Sequence, residues 1–181
     1  MKKIVCFLAF SFSLSLFASG DHGHKHGHEK SSSSLGAHVH GELECSIAVD
    51  QKEIYLQLKA PAQSLIGFEY RPKTEEEKKK WKTFTDSWKK NLLNSFSMTD
   101  IKCEILKPLV LLNVDEKGSH AQIYAEALLR CPKSLQGKTM NVTLRQKFEA
   151  IKKIDFDVLP ATKPPYKRSI SKDLKTLELE L

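Results

Sequence analysis

Between Ala37 and Leu58 the sequence alternates twice, and no other feature restricts the fold as much. Val39, Leu43, Cys45, Ile47 and Val49 fall on one side of a period-two pattern, with His38, His40, Glu42, Glu44 and Ser46 on the other. A period of two is that of a strand with one buried face. Asp50 and Gln51 interrupt it, and Ile54, Leu56 and Leu58 resume it, so a hairpin is expected. Its apolar face must be covered, which calls for further strands or a helix. Strand-like runs follow at 101–114, 121–129, 140–148, 154–159, 166–171 and 177–181. Between the hairpin and these runs, 60–72 reads as a structured connection with an apolar patch at Leu65, Ile66 and Phe68.

From Thr74 the period changes. Thr74 and Glu77 have the spacing of a capping box, Glu75 to Glu77 suit the positive end of a helix, and Trp81, Phe84, Trp88 and Leu92 form one apolar stripe. The expectation is a mainly β, α+β domain: about seven strands in an antiparallel sheet or sandwich, with one or two helices, one of them packed on a face. With 40% hydrophobic residues the chain has the material for a core.

The first twenty residues place Lys2 and Lys3 before an apolar run from Ile4 to Phe17, and then Ala18, Ser19 and Gly20. This is the pattern of a secretory signal peptide, and the run is shorter than the roughly 20 residues of a membrane anchor. Cys6 stands at the start of the run, which argues against a lipoprotein. The expected organisation is a signal peptide at 1–20, a disordered His-rich tail at 21–36 and one domain at 37–181, exported, with no membrane insertion once the leader is removed. Losing Lys2 and Lys3 lowers the net charge from +7 to +5. The lysines that remain crowd one helix, at Lys78, Lys79, Lys80, Lys82, Lys89 and Lys90. Glu75 and Glu76 lie four residues before Lys79 and Lys80 and can pair with them. The stretch reads as a solvated face, and no nucleic-acid partner is expected.

An exported chain keeps its disulfides. Cys45, Cys103 and Cys131 allow three pairings. Cys103 with Cys131 is favoured, because the two stand at the outer ends of runs joined by the short polar stretch 113–119, which would bring them together antiparallel. Cys45 alternates in step with Leu43 and Ile47, as a buried small residue would.

The histidines carry the chemistry. Six of the seven lie between His22 and His40. On a strand, His38 and His40 would project from one face about 6.6 Å apart along the chain, with Glu42 next in the row. Imidazole nitrogen and carboxylate oxygen are both zinc ligands, usually in fours, so a remaining position would fall to water, His120 or a tail histidine. His22, His24, His26 and His28 alternate with glycine and lysine in a tract that neither folding nor solubility requires, as a metal collector would. Zinc is the expected ion, and copper or nickel would suit the same imidazoles. The signatures of enzymes are missing: a Gly-rich phosphate loop, His-Glu-x-x-His, Cys-x-x-Cys and Gly-x-Ser-x-Gly. The expectation is a protein that is not an enzyme, a zinc hydrolase being the weaker reading.

Taken in order, Gly36-Ala37-His38-Val39-His40-Gly41-Glu42, the hairpin, Ala60-Pro61-Ala62, Leu65-Ile66-Gly67-Phe68-Glu69 before Pro72, a charged helix, and Cys103 with Cys131 resemble the ZrgA-type family. These are zinc-regulated periplasmic zinc-binding proteins, long described as a domain of unknown function. The likeness runs from about Gly36 to Leu181. It implies a periplasmic protein that assists zinc acquisition, supplying a zinc ABC transporter or its binding protein. Two departures stand out. Relatives commonly carry a long His/Asp-rich insert where this chain has only 113–120, and Tyr70 and Tyr124 stand where many relatives are expected to have histidine. The competing reading is an envelope interaction module with incidental histidines.

Overall fold

Two strands, β1 (Glu42–Asp50) and β2 (Glu53–Pro61), form the expected antiparallel hairpin, with Cys45 opposite Leu58 and Ile47 opposite Leu56. The inward set is Leu43, Cys45, Ile47 and Val49 on β1 and Ile54, Leu56, Leu58 and Ala60 on β2, all buried. The computed structural model describes residues 39–171 and 173–181, and all of them fall in one compact unit. The leader at 1–20, the tail at 21–36 and His38 lie outside the described residues.

The hairpin is the centre of a larger sheet. The further strands are β3 (Phe96–Met98), β4 (Glu104–Ile105), β5 (Leu109–Val114), β6 (Ala121–Arg130), β7 (Thr139–Val142), β8 (Lys153–Leu159), β9 (Tyr166–Ile170) and β10 (Leu177–Glu180). Seven strands run in the order β4-β6-β2-β1-β8-β9, with β5 also paired to β6. A second sheet has the order β10-β7-β3. Most pairs are antiparallel as expected, but β1 and β8 are parallel, Leu43 opposite Ile154 and Ile47 opposite Val158. The fold is therefore mainly β with two α-helices, and the main sheet is mixed.

Helix α1 (Ala62–Ile66) occupies part of the connection after β2, burying Ala62, Ser64 and Ile66. Helix α2 (Glu75–Asn91) opens with the complete capping box, in which the Thr74 hydroxyl accepts from the Glu77 N–H while the Glu77 carboxylate accepts from the Thr74 N–H. Phe84 and Trp88 enter the core and Trp81 is half-buried, so the apolar stripe lies where its spacing put it. The lysines of the opposite face are exposed. Lys80 pairs with Glu76 as expected, whereas Glu75 pairs with Lys78 rather than Lys79.

Two strand readings are corrected. The run at 101–114 divides into β4 and β5, because Pro108 sits between them and offers no N–H to the ladder. The run at 140–148 is a strand only to Val142, and then a turn of 3₁₀ helix covers Leu144–Lys147. The three-residue β3 carried no pattern long enough to read.

Cys103 and Cys131 form a disulfide across the β4–β6 edge. Cys45 is a free thiol, 2% exposed, and burial pushes its pKa up to about 12. It is a core residue, as its place in the alternation suggested.

Candidate metal centre

The alternation predicts that the first strand carries His38, His40 and Glu42 in a row. The described part of that row is broken. His40 and Gly41 form a turn, the Glu42 N–H donates to the Val39 carbonyl at 3.1 Å, and β1 begins only at Glu42. Gly41 causes the break. Its φ of +86° is a conformation that side chains disfavour, and a Cβ there would stand 2.8 Å from the Ala150 carbonyl oxygen. Val39, expected on the buried face, is 61% exposed as a result. Glu42 leaves the row as well and faces Lys153 across the β1–β8 pair.

The turn directs His40 elsewhere. The Gly41 N–H donates to the Ser64 hydroxyl of α1 at 2.9 Å, and the Gly41 carbonyl accepts from Lys152 and Lys153. The His40 turn is thus clamped between α1 and the start of β8. Helix α1 ends at Gly67, whose φ of +87° allows its N–H to turn back to the Gln63 carbonyl. The chain leaves with Phe68 in the core against the Tyr70 ring. Glu69, held between them, has a side chain only 15% exposed.

His120 reaches the other oxygen of the same carboxylate. It ends the tight turn between β5 and β6, in which the Asp115 carboxylate accepts from the Ser119 N–H at 2.8 Å, the Ser119 hydroxyl at 3.1 Å and the His120 N–H at 3.2 Å. Desolvation alone would raise the Asp115 pKa, but these donors outweigh it and hold the carboxyl below its ordinary value.

Glu69 therefore bridges two imidazoles from distant parts of the chain. His40 Nδ1 stands 3.0 Å from Oε1, and His120 Nδ1 stands 3.4 Å from Oε2. Ligand atoms of a tetrahedral zinc ion lie roughly 3.3 Å apart, given bonds of about 2.0–2.1 Å. Imidazole nitrogen and carboxylate oxygen are both zinc donor types, while the two contacts have the lengths of hydrogen-bonded imidazole–carboxylate pairs. Among the described residues, no group of three or more His, Cys, Asp or Glu side chains is placed to hold a metal ion. An ion would replace the two imidazole–carboxylate contacts.

The structure thus brings together His40 and His120 of the expected ligands and sets Glu42 apart. His38, His22, His24, His26 and His28 lie outside the described residues. Sequence reasoning missed Glu69 as a site residue. The signal was a lone carboxylate between Phe68 and Tyr70, in a segment otherwise apolar enough to pack. Tyr70 and Tyr124 have separate roles, their hydroxyls donating to Glu77 and Gln122.

A family model described as ZrgA family zinc uptake protein matches residues 37–179, a span that contains His40, Glu69, His120 and both disulfide cysteines. No curated protein matches the chain. Among the described residues, no helix is long and apolar enough to cross a membrane.

Proposed function

The chain belongs to the ZrgA family of zinc uptake proteins, and on that premise we propose that it binds zinc as cargo through His40, Glu69 and His120. One observation carries the reading: a largely buried carboxylate with an imidazole nitrogen at each oxygen, brought together from distant parts of the chain. A carboxylate kept from water favours a cation, and imidazoles add ligands without adding negative charge. The tract at His22, His24, His26 and His28 raises local capture, and Glu42 belongs to β1 rather than to the ligand set. The protein works in the periplasm after export, without catalysis, and passes its ion to a zinc ABC importer or that importer's binding protein.

Equilibrium dialysis of the full chain against zinc, copper and nickel tests this. Zinc binding is expected, weakened by at least about tenfold in His40→Ala, Glu69→Gln and His120→Ala, since even groups that only support a metal site commonly cost that much. Zinc binding equal to the native protein's in the triple variant would move the site to the tail. No zinc binding at all would favour the envelope interaction module.

A further inference from the structure

A pocket of about 490 Å³ opens between α1, α2 and the 3₁₀ turn after β7. Its floor is apolar, made by Leu65, Ile66, Phe84, Trp88, Leu144 and Phe148. This size and lining suit a small organic ligand. The rim is cationic: Lys79, Lys80 and Lys147 line it, with Glu76 the only acid. Glu76 is engaged by Lys80 at 3.0 Å. Lys79 and Lys147 have no carboxylate partner among the described residues. The indole N–H of Trp88, on the floor, is buried and lacks an acceptor among the described residues.

We propose that this pocket binds an amphipathic monoanion, an alkyl carboxylate of medium chain length, with its tail on the apolar floor and its carboxylate at Lys79 and Lys147. An uncharged apolar ligand would fill the floor and leave both ammonium groups without a counter-charge. Desolvation beside the pocket holds the Lys147 amine below the ordinary lysine value, and an anion at the rim would reverse that shift. None of these residues takes part in the His40–Glu69–His120 cluster, so the proposal stands apart from the zinc reading.

Decanoate and decanol, titrated into the full chain by calorimetry and by tryptophan fluorescence, test it. Saturable decanoate binding is expected, at least about tenfold tighter than decanol and weakened by salt. Lys79→Ala/Lys147→Ala should remove that preference and leave decanol unchanged. Ser87→Phe, which fills the mouth from the exposed face of α2, should abolish both while zinc binding persists. Equal affinity for the two probes, no saturable decanoate binding, or decanoate binding indifferent to the lysine pair would each overturn the proposal.

Discussion

The Gly41 N–H and the Ser64 hydroxyl, 23 residues apart in sequence, meet in a buried hydrogen bond of 2.9 Å. This one contact fastens the turn that carries His40 to the short helix that leads to Glu69. Two ligands of the proposed site are therefore set by a residue that is neither of them. Ser64→Ala leaves a buried N–H without its acceptor, and a loss of about 1–3 kcal/mol is expected in urea unfolding. Gly41→Ala forces a left-handed backbone worth about 1–2 kcal/mol on a side chain, before any clash with Ala150 is counted. Both variants should also bind zinc more weakly. Unchanged affinity in folded Ser64→Ala would show that the clamp does not position His40.

Zinc binding should fall steeply between about pH 7 and 5, because imidazole must be neutral to coordinate and ordinarily titrates near 6.5. Competition with a chelating dye across that interval measures it. A flat profile would mean that carboxylates alone hold the ion.

Glu77 links stability to acid. Its carboxylate accepts from the Thr74 N–H, the Tyr70 hydroxyl and the Lys73 N–H, and these bonds pull its pKa down to about 2. A carboxyl with a depressed folded value stabilises the fold above its unfolded pKa, near 4.5, and loses that contribution as pH falls toward 2. The stability gap between the native chain and Glu77→Gln should be constant from neutral pH down to about 4.5 and vanish by about 2. Thermal melts at stepped pH read this directly, and a gap that persists at pH 2 would contradict it.

The Cys103–Cys131 bridge closes a loop with a sequence separation of 28. By chain-entropy reasoning, Cys103→Ser/Cys131→Ser should lose roughly 3–4 kcal/mol in denaturant unfolding. Cys45, with its thiol pKa at about 12, should resist alkylation in the folded protein and react once unfolded. Mass-resolved labelling separates it from Cys6.

Local patterns were the legible ones. The hairpin followed from the spacing of Leu43, Ile47, Ile54 and Leu58, helix α2 from Thr74 and Glu77, and the disulfide from two run ends brought together by a short turn. Each depends on residues near one another in sequence or on a single hairpin. The parallel pairing of β1 with β8 joins segments about a hundred residues apart, and no periodicity encodes it. The site combined both kinds of signal. His40 and His120 were visible as histidines, but the alternation that placed His40 on a strand could not register that Gly41 would turn the chain under Ala150. Glu69 was hidden for the same reason, since what makes it a ligand candidate is the arrival of two remote imidazoles.

The β1–β8 ladder also governs the order in which the molecule can be made. Until Lys153–Leu159 has emerged, one long edge of β1 has nothing to pair with, and Leu43, Ile47 and their neighbours remain an incomplete template. Such long-range closure makes folding slow compared with a chain of local contacts. A nascent or truncated chain ending before Lys153 would expose that edge to other chains, so the step most open to aggregation precedes synthesis of β8.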